Sequence, residues 1–206
     1  MPRGATPTRV FLLSPAHLGG KRAALLLREE AAFPLAVRLR EPGGAALGEA
    51  FSFLSGLYFR GKLAYAVRFA RPPTGIAGVQ VITANRGLVA ADAPVNTAEL
   101  RAFGSVDIHP DEPRYRVPLV RDVARLAEHR GLEVVLLGSV ATGKYVDVLL
   151  DVVGERLLFP TDFVGRGDMS RGALLLRSAR EGRELVYETV AGALARLRPG
   201  IRGADE

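Results

Sequence analysis

The chain has no cysteine among its 206 residues, which excludes disulfides, thiolate catalysis and cysteine-held zinc or iron–sulfur centres. It also has no apolar run near the roughly 20 residues that a membrane span needs. The first such run, Val10 to Leu13, is too short for a secretory signal core. A cytoplasmic protein without a membrane partner is the expectation. Histidine is scarce: His17, His109 and His129 lie far apart, and three scattered imidazoles do not make a metal site. No metal and no cofactor is expected. Neither Gly-x-Ser-x-Gly nor Gly-x-Gly-x-x-Gly occurs, so the hydrolase elbow and the dinucleotide fingerprint lose support.

Lysine is the rarest charge. Of 28 basic residues only Lys21, Lys62 and Lys144 are lysines, and each follows a glycine. A chain that writes arginine wherever a generic positive charge suffices keeps a lysine where a compact amine with a shiftable pKa is needed. Glycine before it lets backbone approach a ligand. The net charge of +6 and a pI near 10.1 favour polyanionic partners.

Nearly half the residues are apolar, 48%, enough for one domain over residues 1–200, with a loose tail at 201–206. Continuous apolar runs at 8–14, 79–83, 133–137 and 156–159 read as strands buried on both faces. Between them, apolar spacing predicts helices at 22–28, 34–40, 47–70 (one helix or two, given Gly56 and Gly61), 119–130, 144–153 and 183–198, with Asn96 or Thr97 capping a short one. The prolines at 110, 113 and 118 make 104–117 irregular. The alternation predicts an α/β domain of three layers, with a mainly parallel sheet and helices on both faces.

In such a fold ligands bind beyond the carboxyl ends of strands, which points to the segments 14–21, 84–92, 138–144 and 160–171. In 133-EVVLLGSVATGKYVDVLL-150 a strand leads through Gly138 and Gly143-Lys144 into a helix. That is the pattern of a phosphate-binding loop, except that Tyr145 replaces the magnesium-binding Ser or Thr. The first strand repeats it loosely in 12-LLSPAHLGGKRAALLL-27, which would set Lys21 and Lys144 about one anion, with His17 nearby. Arg166 and Arg171 could grip a phosphate, and Asp168 or Ser170 could cap the helix after them. Asn85 and Arg86 stand at a strand end, suited to a base or sugar. Glu49 and Asp92, with His17, are the candidate catalytic groups.

Three stretches, 13-LSPA-16, 57-LYFRGKLAYA-66 and 82-ITANRGLVAADAPV-95, together resemble the YaaA-like proteins and their short relatives. The matching positions are Ser14, Pro15, Tyr58, Gly87, Leu88 and Asp92. His17 stands where that family has a lysine, and 96-NTAEL-100 replaces its Tyr-Arg-rich continuation. The resemblance implies an α/β protein linked to oxidative stress and DNA binding, and adds Tyr58 to the contact residues. The first functional expectation is binding of nucleic acid or a nucleotide through the Gly-Lys loops. The alternatives are an enzyme acting on a nucleotide or phosphorylated sugar at an N-glycosidic bond, and a scaffold protein without a small ligand.

Overall fold

Arg9–Leu13 is apolar after its first residue and buried throughout, and it forms the central strand, β1. The computed structural model describes residues 7–140 and 143–197. Following β1 are α1 (Lys21–Leu26), α2 (Pro34–Arg40), β2 (Ala45–Ala46), α3 (Leu47–Ser55), α4 (Leu57–Phe69), β3 (Val79–Ile82) and β4 (Leu88–Ala90). Then come β5 (Pro94–Val95), α5 (Thr97–Gly104), α6 (Pro113–Ala127), β6 (Glu133–Leu137) and α7 (Gly143–Val153). The chain continues through β7 (Leu157–Pro160), α8 (Asp168–Glu181), β8 (Tyr187–Thr189) and α9 (Val190–Leu197). The proposed tail, 201–206, lies outside the described residues.

The main sheet has the order β4-β3-β1-β6-β7-β8. Its four inner strands are parallel, with β1 paired to β3 on one side and to β6 on the other. The outer strands, β4 and β8, run antiparallel. With helices packed around it, this is the three-layer α/β fold expected. From β1 the chain moves outward to β3, and from β6 it moves the other way to β7. The carboxyl ends of β1 and β6 therefore flank the switch point where such sheets leave a crevice.

Three differences from the sequence reading have local causes. Residues 47–70 form two helices, because Gly56 takes a positive φ of 65° between α3 and α4. The irregular stretch ends sooner than expected. Pro113 opens α6, where its missing N–H is no loss, and the Glu112 carboxylate accepts from the Arg114 amide. Residues 187–189 are not helical: they pair with β7 as an edge strand, and α9 starts only at Val190. The expected helix end at Arg198 lies outside the described residues. Asn96 caps α5 as expected, with the reciprocal bond from its own amide to Glu99. By contrast Gly167, rather than Asp168 or Ser170, is the N-cap of α8.

Two sets of contacts hold the layers together. A Cβ added at Gly61 of α4 would lie 2.6 Å from the Gly172 carbonyl oxygen, and one at Gly172 of α8 would lie 2.9 Å from the Tyr58 Cα. The two helices thus cross backbone to backbone. At the opposite, amino edge of the sheet, Arg9 pairs with Glu133 and Glu184, and Glu184 also pairs with Arg71. Arg9 is held over the Tyr187 ring at 4.5 Å.

Candidate functional site at the strand ends

The segments after β1, β3 and β6 enclose a cleft of about 350 Å³, lined by residues that include His17, Phe51, Phe103, Asp107, Lys144 and Tyr145. Each side chain is placed by an element end. His17 leaves β1 and folds over Gly19, where an added Cβ would come within 2.9 Å of Nε2. Phe51 comes from α3 and Phe103 from the last turn of α5. Both are buried and form an apolar floor. Lys144 rises from the first turn of α7, half-buried, with Nζ 5.3 Å from the Tyr145 ring centre.

The near-phosphate loop enters this arrangement only in part. Ala141 and Thr142 lie outside the described residues. Gly143 begins α7, and an added Cβ there would meet the Asp147 carboxylate at 2.0 Å. The chain's own negative charge thus lies over the first turn that a phosphate would approach. Tyr145 is buried, and its phenol is pushed up to about 12, first by burial and then by the neighbouring Tyr58. A buried phenol of this kind is no substitute for the magnesium-binding hydroxyl. Gly138 has another role: an added Cβ would lie 3.1 Å from Ser14 Oγ, so the glycine leaves room beside that buried hydroxyl.

The other expected residues are dispersed. Lys21 is exposed at the start of α1 and does not line the cleft, so it does not share an anion with Lys144 there. Glu49 pairs with Arg38, and together with Asp92 it lines a different, larger groove of about 770 Å³ beside α4 and β3. His17 is therefore parted from both expected carboxylates. The carboxylate that does line its cleft is Asp107, from the stretch read as irregular. Asn85 donates to the Ala102 carbonyl at 3.1 Å, and its buried Oδ1 has no partner among the described residues. Arg86 is paired with Glu99. Asn85 and Arg86 line a third depression with Asp122. Arg166 reaches Ser170. Arg171 donates twice to the Phe163 carbonyl and lies 3.9 Å from Asp168. Among the described residues no cluster of three or more metal-ligating side chains occurs.

At the switch point itself sits a group that site assignment from the sequence missed. Lys62 is 1% exposed. Its Nζ lies 2.6 Å from the Ser14 carbonyl oxygen and 2.9 Å from Ser14 Oγ, and donates to both when charged. Nζ also stands 4.6 Å from the Tyr58 ring centre and 4.9 Å from that of Phe59. Among the described residues it forms no ion pair. Burial pushes its pKa down to about 7, against a weaker opposing pull from Asp168. Tyr58, beneath it, has a buried hydroxyl without a partner among the described residues. Burial raises that phenol to about 12, although the Arg171 guanidinium nearby pulls it down. The signal that pointed to Lys62 was the preference for lysine only after glycine. What the sequence lacked was its partner, Ser14, 48 residues away.

No helix among the described residues is long and apolar enough to cross a membrane. No protein-family model, no curated protein and no solved structure matches the chain.

Proposed function

We propose that the strand-end cleft binds a small anionic ligand of mononucleotide size. The observation that carries this reading is the cleft of about 350 Å³ beside the switch point, with Lys144 and His17 on its walls and the aromatic floor of Phe51 and Phe103. Ligand sites run from roughly 300 to 1,000 Å³ and combine an apolar lining with a few convergent polar groups. Lys144 and His17 hold the phosphate, and the aromatic floor takes the base or sugar. Magnesium is not required, because Tyr145 stands in place of its ligand. Glu49, Asp92, Lys21, Asn85 and Arg86 have no part in this cleft.

The test is the melting temperature of wild type and Lys144→Ala against mononucleotides and ribose phosphates, with and without magnesium. A ligand at 100 times its Kd stabilises by about 2.7 kcal/mol, so even weak binding registers. A rise with one small phosphate ligand, lost in the variant and indifferent to magnesium, is expected. No rise with any small ligand would end this reading. The +6 charge favours a second reading, nucleic-acid binding over a basic surface, in line with the YaaA-like resemblance. It predicts stabilisation by oligonucleotides only, falling steeply with salt.

A further inference from the structure

We propose that Ser14 and Lys62 form a nucleophile–base pair that performs acyl transfer on an ester at the carboxyl end of β1. The inference does not depend on which ligand the cleft takes. It begins from how thoroughly the chain isolates this amine. Lysine is seldom fully buried without a paired charge, and here the nearest polar partners are the carbonyl and hydroxyl of a single serine at 2.6 and 2.9 Å.

The donor and acceptor count suits a neutral amine. One N–H goes to the Ser14 carbonyl, another faces the Tyr58 ring at 4.6 Å, and the lone pair is left to accept the Oγ proton. From α8, packed against α4, the charge acting on Nζ is that of Asp168, which itself lies 3.9 Å from the opposite charge of Arg171. Tyr58, on its own helix, stays a neutral phenol. Burial holds the amine near neutral pH, the condition for a lysine to act as a general base.

Its place in the fold agrees with this chemistry. Ser14 is the residue directly after β1, at the switch point, and Pro15 and Ala16 after it line the cleft. Gly138, across from it on the β6 side, carries no Cβ that would crowd Oγ. Among the described residues the other hydrogen bond of Oγ is a long one of 3.4 Å to the Leu137 carbonyl, which holds the hydroxyl only weakly in its 7% exposed place beside the cleft.

In the reaction, Oγ attacks the acyl carbon while its proton passes to Nζ. The tetrahedral intermediate collapses, the bond to the leaving alkoxide breaks, and that oxygen takes the proton from Nζ. The same relay then activates water to cleave the acyl-serine ester. The net change is an ester and water giving an acid and an alcohol.

The experiment uses the full chain with a fluorophosphonate probe, which forms a stable phosphonyl ester with an activated serine and releases fluoride. Peptide mass spectrometry should find the adduct on Ser14. Its rate should rise as pH passes through about 7 and fall at least about 100-fold in Lys62→Met. A folded Lys62→Met with unchanged labelling, or a wild type with Ser14 unlabelled, overturns the proposal. Because Lys62→Met risks misfolding, a second variant stands beside it. Ser14→Cys supplies the one thiol in a chain without any. Its iodoacetamide rate should titrate well below the ordinary thiol value of about 8.5, driven by the adjacent amine. A thiol in folded Ser14→Cys that titrates as a free cysteine does overturns it equally.

Discussion

Replacing Lys62 with Met should change how stability depends on pH. Burial favours the neutral amine, so the folded chain gives up the Lys62 proton at about 7, while the unfolded chain holds it to the ordinary 10.5. Between those values the unfolded state binds more protons, so this group makes stability rise with pH. Below about 7 both states are protonated, and its contribution is constant. At about 1.4 kcal/mol per pH unit, reduced near 7 where the folded amine is only partly neutral, the gain from pH 7 to pH 9 is about 2 kcal/mol. Urea unfolding of both proteins at pH 7, 8 and 9 measures it, since the other titrating groups cancel in the difference. With slopes of about 1–3 kcal/mol per molar urea, the wild-type midpoint should gain roughly 1 M on the variant's across that range. Parallel pH profiles would show that Lys62 is not held neutral, and the reasoning would fail with them.

Two further outcomes test the frame that holds the site. Gly172→Ala should cost about 1–3 kcal/mol in chemical unfolding, because the new methyl would meet the Tyr58 Cα at 2.9 Å and push α8 from α4. A cost below about half a kcal/mol would mean that the crossing is slack. Glu184→Gln should lower stability by about 2 kcal/mol. It removes the charge shared by Arg9 and Arg71 while leaving Arg9 buried. This loss should shrink little in high salt, in contrast to an exposed pair.

How much of this was legible depended on how local each cause is. The runs around Arg9–Leu13, Val79–Ile82 and Glu133–Leu137 announce inner strands, because burial on both faces demands an unbroken apolar series. The edge strands gave no such signal. Leu88–Ala90 and Tyr187–Thr189 are three residues each and only partly buried, and pairing on one side asks little of composition. Pro113 misled because proline breaks a helix inside but begins one well. That the segments 14–21, 84–92, 138–144 and 160–171 follow strand ends was legible, since the carboxyl end of a parallel strand follows from its direction, although 160–171 contributes no residue to the cleft lining. Which of their side chains meet did not follow. The pairing of Arg86 with Glu99, the removal of Glu49 to another groove and the meeting of Lys62 with Ser14 are all tertiary. Lys62 is the instructive case: its type and its glycine were visible as unusual, while its burial depended on the turn of α4 against β1.

The crossing of α4 and α8 has one more implication. Where side chains separate two helices, successive small replacements can widen or narrow the gap by degrees. Gly61 and Gly172 leave nothing to trim, so any substitution at either position can only drive the helices apart. The spacing of Tyr58 and Lys62 from Asp168 and Arg171 is thus pinned at its minimum. Loops around the cleft can be rebuilt to accept other ligands, but the reach across this joint would remain the same for every descendant that keeps both glycines.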